Sequence, residues 1–181
     1  MTPRSYTSEG IILGRRNYGE ADRILLVYSE DKGKLSLLAK GIRRPKSRKR
    51  GHLEIFTRIR FQAVPGKGLG IITEVETIDD YENIRQSIKK VSLAYYFVEV
   101  LGKAIHEGEA NPEVYSLLVN SMENLKTAKK LKELRIEFVV NLLKLLGYWP
   151  KDMKLPLPDE KLEEVLERQI YSIRVGKIML E

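Results

Sequence analysis

The sequence predicts an α+β protein in which the strands come first: a five-stranded barrel over residues 1–80, then an α-helical bundle over residues 81–181. Three observations carry that division. The first 80 residues alternate apolar and polar positions with a period of two, broken by glycines, whereas from Asn83 onward the apolar period is that of a helix. Turn chemistry separates the early runs at short intervals, as a small antiparallel barrel requires. Charge divides the same way: residues 1–80 hold 16 lysines and arginines against 10 acids, while residues 81–181 hold 16 against 15.

Five segments qualify as strands in order: Ser8–Arg15, Arg23–Ser29, Lys34–Lys40, Glu54–Ala63 and Leu69–Ile78. They are separated by Asn17–Glu20, Glu30–Gly33, Gly41–Gly51 and Pro65–Gly68. Asp31-Lys-Gly33 supplies the glycine of a short hairpin, and Pro65-Gly-Lys-Gly68 marks a second tight turn, so the strands should run mainly antiparallel. Five such strands fit an oligonucleotide-binding (OB) barrel, and an SH3-like barrel fits the count nearly as well.

The helical part opens with a long buried helix: Ile84, Ile88, Val91, Tyr95, Val98 and Leu101 recur at helical spacing up to Gly102, and the pattern can run on to His106 before Gly108 stops it. Asn111-Pro112-Glu113 reads as N-cap, first helical residue and acidic first turn of a second helix through Leu125. A third spans Ala128–Leu146 and ends at Gly147, placed for a left-handed C-cap. After Trp149-Pro150 and Leu155-Pro-Leu-Pro158, Asp159 is placed to cap a short helix through Leu162, Val165, Leu166 and Ile170. The domain boundary falls at Asp79–Asn83.

Composition narrows the function classes. At 43% apolar and 31% charged residues, the chain has the makeup of a folded soluble protein. Its longest apolar runs fall far short of a membrane span, and Met1–Arg16 has no signal-peptide core, so a cytoplasmic location without membrane association is expected. With no cysteine and two histidines, disulfides, thiolate metal sites and cysteine nucleophiles are excluded, and neither cofactor nor metal is expected. Carboxylate pairs such as Glu74/Glu76 and Asp79/Asp80 form no catalytic constellation.

The strongest candidate site is the segment Lys40-Gly-Ile-Arg43-Arg44-Pro-Lys46-Ser47-Arg48-Lys49-Arg50, which places seven cations in eleven residues without an acid. Such density self-repels unless an anion is present, and a loop between barrel strands is where a phosphate backbone would lie. Arg15, Arg16 and Arg23 extend this patch, although Glu20 and Asp22 are near enough in sequence to pair with them. Lys67 sits in a glycine-rich hairpin that lacks the ending of a phosphate-binding loop and precedes a strand. Tyr18, Tyr28, Phe56 and Phe61 are candidates for stacking on bases, in competition with core packing. Phe56 and Phe61, five apart, face opposite ways if the strand is unbroken. His52 adjoins the basic loop, and His106 closes a helix. In the helical part, a groove edged by Lys129, Lys130, Lys132 and Arg135 would suit an acidic, hydrophobic peptide.

Particular residues carry a resemblance. Glu9-Gly-Ile-Ile-Leu-Gly-Arg-Arg-Asn-Tyr18-Gly19-Glu20-Ala-Asp22-Arg-Ile24, Ser29-Glu-Asp-Lys-Gly33-Lys and Ala39-Lys40-Gly41-Ile-Arg43-Arg-Pro-Lys-Ser47 resemble the RecO family of recombination mediators. The match continues through Leu53, Phe56 and the glycine-rich hairpin to Glu74 and Glu76, and further on only Leu146-Gly147-Tyr148-Trp-Pro150 looks similar. The resemblance implies an OB barrel followed by a helical domain that binds single- and double-stranded DNA and anneals complementary strands. It also implies contact with RecR and with the C-terminal tail of single-stranded DNA-binding protein, and an indirect role in RecA loading during recombinational repair at the nucleoid. Lys40, Arg43 and Ser47 occupy motif positions in the DNA-facing loop by this resemblance, and Arg15, Tyr18 and Glu20 fall in the other matching motif. Many members carry a four-cysteine zinc module, so this chain resembles a minimal form.

The expected function is therefore non-enzymatic: holding phosphates electrostatically and offsetting the repulsion between strands. Two other classes stay open, an RNA-binding OB-fold chaperone and an adaptor whose helical bundle binds peptide tails.

Overall fold

A computed structural model describes residues 4–47 and 53–167. It forms two compact units, one comprising Met1–Asp80 with Ile105–Asn111, the other Tyr81–Ala104 with Pro112–Glu181.

Strands β1 (Tyr6–Tyr18), β2 (Asp22–Ser29), β3 (Gly33–Ala39), β4 (Arg58–Val64) and β5 (Gly70–Asp79) close into a barrel in the order β1-β2-β3-β5-β4. All pairings are antiparallel except β3 with β5, which is parallel at Leu37↔Gly70 and Leu38↔Ile71. Long β1 serves two partners, pairing with β4 from Tyr6 to Ile11 and with β2 from Gly10 to Tyr18, and a register shift between Ile12 and Gly14 accompanies the change. This order and parallel closure make the barrel an OB fold, settling the choice left open with the SH3-like alternative. Period-two alternation fills the interior with Leu25 and Val27, Leu37 and Ala39, and Ile59, Phe61 and Ala63 from three strands in turn, joined by Ile12, Ile42, Leu53 and Ile72.

Two strand boundaries differ from the sequence pattern for physical reasons. β1 runs on to Tyr18 because Arg15–Tyr18 pair with Leu25–Asp22 in a polar hairpin arm that hydrophobic alternation does not reveal. β4 begins at Arg58, not Glu54. Phe56 takes a left-handed φ of 57° in a turn closed by Thr57 N–H donating to Glu54 O (3.2 Å), with Phe56 N–H donating to Ile12 O (2.7 Å). The strand is thus broken between Phe56 and Phe61, and both rings are buried.

The β2–β3 hairpin end of the barrel is closed against its own chain. The Ser8 and Ser29 hydroxyls lie 2.7 Å apart and both donate to the Asp31 carboxylate. Segment 105–111 packs on this turn: Gly108 N–H donates to Lys34 O (2.9 Å), and the Ser36 hydroxyl to Glu107 Oε1 (2.6 Å). Gly33, at φ 71°, has the Glu109 carbonyl 2.4 Å from where a Cβ would stand, so both the turn and the close approach require glycine.

The second unit holds α1 (Glu82–Arg85), α2 (Ile88–Ala104), α3 (Pro112–Thr127), α4 (Leu131–Leu145) and α5 (Pro158–Leu166). The single long helix expected from Asn83 is two helices, broken at Gln86–Ser87. Ile84 is fully buried while Ile88 is 67% exposed, so the two do not share one apolar face, and α2 stops at Ala104 instead of running to His106. Phe97 and Phe138 pack with ring centroids 4.4 Å apart in the bundle core. α4 ends as its glycine predicts: Gly147 has φ 80°, its N–H reaches Lys144 O (3.2 Å), and Tyr148 N–H reaches Leu143 O (2.9 Å), the paired bonds of a Schellman motif. α5 begins with Pro158 as its first residue and Leu157 at the cap. Asp159 is not the cap but the partner of Arg135, a bidentate pair including a 3.0 Å bond that ties α5 to α4. Ile170 lies outside the described residues. Among the described residues, no helix is long and apolar enough to cross a membrane.

Candidate nucleic-acid interface

The barrel end opposite the closed hairpin brings together two turns distant in sequence. Gly19 (φ 56°) turns β1 into β2, and Gly41 (φ 65°) starts the loop leaving β3. Gly41 N–H donates to Asp22 Oδ1 (2.7 Å), Arg43 N–H to Ala21 O (2.9 Å), and Arg43 Nη1 to Gly19 O (3.3 Å). Ile42 between them is fully buried in the barrel core, which anchors the loop. Two successive turns follow, with Arg44 N–H donating to Gly41 O (3.1 Å) and Ser47 N–H to Arg44 O (3.0 Å). The motif around Tyr18–Asp22 therefore holds the motif around Ala39–Ser47, leaving Lys40, Arg43, Arg44 and Lys46 exposed and Ser47 half-buried.

Cations at this end fall into two groups. Arg15 Nη1 lies 2.5 Å from Glu54 Oε1, and Arg23 Nη1 lies 3.9 Å from the same oxygen, with Arg23 Nε donating to Asn17 Oδ1 (3.3 Å). The acid that engages both is Glu54, which the turn before β4 carries to the arm, while Asp22 accepts from Gly41 N–H. Among the described residues, by contrast, no carboxylate pairs with Arg16, Lys40, Arg43, Arg44 or Lys46. Like charges held close with no acid between them attract a polyanion more strongly than paired ions do.

Other predicted residues fall elsewhere. Lys67 is exposed on the β4–β5 turn, a different turn from the pair described above. Arg48, Lys49, Arg50 and His52 lie outside the described residues. Of the stacking candidates only Tyr18, 53% exposed at the end of β1, faces solvent. Tyr28 is core: burial pushes its hydroxyl up to about 12, and that hydroxyl donates to Asn111 O (3.3 Å). Sequence reasoning missed Asp22 as the brace of Gly41, Ile42 as the anchor and Glu54 as the competing acid. Only Asp22 had a local signal, its place three residues after a turn glycine.

On the β1–β4–β5 wall, Glu9 bridges Arg58 (3.3 Å) and Arg60 (2.7 Å), and Arg60 lies 3.8 Å from Glu76, so these charges satisfy one another. A four-cysteine zinc module does not fit this chain. It has no cysteine, and among the described residues no three His, Asp or Glu side chains are grouped to hold a metal.

In the helical unit, a groove of about 560 Å³ between α3 and α4 is lined by Leu117, Asn120, Asn141, Lys144, Leu145 and Lys151, among others. Arg135 is not at a groove edge. It is 4% exposed, paired with Asp159, and its guanidinium lies 5.6 Å from the Tyr96 ring centre.

Residues 1–81 match the family model described as Recombination protein O N terminal, and residues 85–151 match Recombination protein O C terminal. The chain is 34% identical over 149 residues to the DNA repair protein RecO of Moorella thermoacetica, covering 82% of this chain and 55% of that one. It is 32% identical over 149 residues to the protein of the same name from Dehalococcoides mccartyi strain 195, covering 82% and 59%. With that of Dehalococcoides mccartyi strain CBDB1 it shares 33% over 177 residues, covering 98% and 69%. The chain spans little more than half the length of the first two.

Proposed function

We propose that this chain, which belongs to the RecO family of DNA repair proteins, holds single- and double-stranded DNA by its phosphates at the open end of the barrel and promotes annealing of complementary strands. The observation that carries the reading is the set of exposed cations Lys40, Arg43, Arg44 and Lys46 on a loop braced by Gly19, Ala21 and Asp22, with no acid engaging them among the described residues. Ser47, Arg48, Lys49, Arg50, Arg16 and Lys67 extend the contact in this proposal, and Arg15 and Arg23 join once a phosphate competes with Glu54. Backbone contact fixes position without reading sequence. By neutralising two strands at once it lowers the repulsion that opposes their pairing, and no catalytic step is needed.

The proposal extends to partners. The α3–α4 groove combines apolar Leu117 and Leu145 with Lys144 and Lys151 against one acid, Glu113, a combination suited to the acidic, hydrophobic C-terminal tail of single-stranded DNA-binding protein. RecR completes the assembly and RecA loading follows from it, which sets the chain in the cytoplasm at the nucleoid.

Filter binding of single strands across a salt series tests the reading. Affinity should fall steeply with salt, and Lys40→Glu/Arg43→Glu/Arg44→Glu should weaken binding to all sequences alike while flattening the slope by roughly 2, at about 0.7 per lost phosphate contact. Affinity that hardly changes with salt would overturn it. A preference for RNA over DNA oligomers in competition would transfer the same surface to an RNA chaperone. Strand annealing with and without single-stranded DNA-binding protein probes both proposed surfaces together.

A further inference from the structure

The helical unit contains a second cavity, of about 310 Å³, lined by Lys89 from the start of α2, Lys129, Lys130, Leu131 and Lys132 at the start of α4, and Glu133. We infer that this lysine cavity is a separate phosphate-backbone contact for a nucleic-acid strand, apart from the barrel loop. The inference rests on the reading that the chain binds nucleic acid.

Four lysines line one cavity with a single acidic residue, Glu133. Glu133 engages Lys130 at 3.0 Å, and among the described residues no carboxylate pairs with Lys89, Lys129 or Lys132. Neighbouring lysines show what structural employment looks like in the same unit. Lys90 donates to the Lys126 carbonyl (2.6 Å), and Lys126 pairs with Glu123 (2.7 Å) and lies 5.0 Å from the Tyr81 ring centre. Among the described residues, Lys89, Lys129 and Lys132 have no comparable role. The mutual repulsion of the four cavity lysines is aggravated because three of them stand at the positive end of α4, where cations are unfavourable. An anion in the cavity relieves both costs.

The lining also selects the kind of anion. An acidic peptide tail needs an apolar recess for its side chains, and here only Leu131 is apolar, whereas the α3–α4 groove supplies such a recess. Lysines act as point charges without the planar fork that reads a carboxylate or base edge, which suits a sequence-independent run of phosphodiesters. A contact in each of two linked units raises the affinity for one long strand by making the second binding event intramolecular.

Anisotropy of a fluorescein-labelled oligothymidylate, titrated across a potassium chloride series with the full chain, tests this. Lys89→Gln/Lys129→Gln/Lys132→Gln should flatten the salt slope by roughly 2, as should Lys40→Gln/Arg43→Gln/Arg44→Gln, with the losses adding when the two sets are combined. As a control for net charge and folding, Lys103→Gln/Lys161→Gln removes two lysines that pair with glutamates elsewhere in the unit, and it should leave the slope unchanged. If the cavity variant keeps the wild-type slope while the loop variant loses its share, the inference fails and the DNA reading stands. If neither set changes the slope, both fail. An equal loss from the control reduces the effect to bulk charge and overturns the inference. So does a cavity variant that keeps its DNA slope but loses a labelled acidic peptide.

Discussion

The two ends of the barrel treat their charged residues in opposite ways. At the β2–β3 hairpin, charges face groups of their own chain: Asp31 takes hydrogen bonds from Ser8 and Ser29, Lys32 lies 3.7 Å from Asp31 and 5.6 Å from the Tyr6 ring centre, and Glu107 accepts from Ser36. At the other end the backbone is pinned, but Arg16, Lys40, Arg43, Arg44 and Lys46 have no carboxylate partner among the described residues. Both ends are turns joined by a few residues of strand, so the contrast does not come from secondary structure. It comes from what returns to each turn: segment 105–111 covers one, while at the other Glu54 engages the hairpin arm and leaves the loop open.

The largest effect expected from this contrast is on stability. Gly33→Ala meets the Glu109 carbonyl at a left-handed φ and should cost about 3 kcal/mol or more, combining the left-handed penalty with overpacking. At the open end, Gly19→Ala has a similar φ but nothing within 4 Å of the new Cβ, so it should cost roughly 1 kcal/mol. Equal losses of urea midpoint in the two variants would break the comparison.

Next in size is the brace. Asp22→Ala removes the acceptor of the Gly41 N–H and should cost about 1 kcal/mol, with faster hydrogen exchange at the Gly41 amide. Asp22→Asn keeps an acceptor oxygen, so that amide should remain protected. Exchange equally fast in both variants would mean that the negative charge, not the hydrogen bond, holds the loop.

A smaller effect is expected from Glu54→Gln, which removes the carboxylate that engages Arg15 and Arg23. Affinity for single strands should rise roughly twofold to fivefold, the range of an exposed ion pair, and the salt slope should steepen. A fall in affinity would show that Glu54 positions those arginines productively.

The smallest effect concerns acid. Burial alone would raise the Asp31 carboxyl, but the Ser8 and Ser29 hydroxyls and the nearby Lys32 outweigh it and hold it below the usual carboxylate range. A depressed folded-state value means that its contribution to stability is present above the unfolded-state value and lost as pH falls through the folded one. Ser29→Ala should therefore move the start of acid unfolding to higher pH. An unchanged acid limb would remove Asp31 from the account of the closed end.

Much of this architecture was legible in the sequence. The apolar run Leu25–Tyr28 and the alternation through Ile59–Ala63 located barrel strands, and Gly33 and Gly147 marked a turn and a helix end, because a pleat, a tight turn and a helix cap each depend on residues only a few positions apart. The density of cations from Lys40 onward was equally plain, since charge along a chain needs no structure to count. The polar arm Arg15–Tyr18 and the break at Gln86–Ser87 were not legible, as neither leaves a mark in hydrophobic period.

The amino-acid order by itself determined that five strands precede the helices, where the glycine turns at Gly33 and Pro65–Gly68 fall and that the basic charge concentrates before residue 81. Only the tertiary structure decided which arginines meet an acid, since Glu54 is 39 residues from Arg15, and that residues 105–111 return to cover one end of the barrel. It also decided that Phe56 and Phe61 are both interior. The physical reason is range: periodicity and turn preference are local, whereas charge pairing and burial depend on which distant segments the closed barrel brings within a few ångströms of one another.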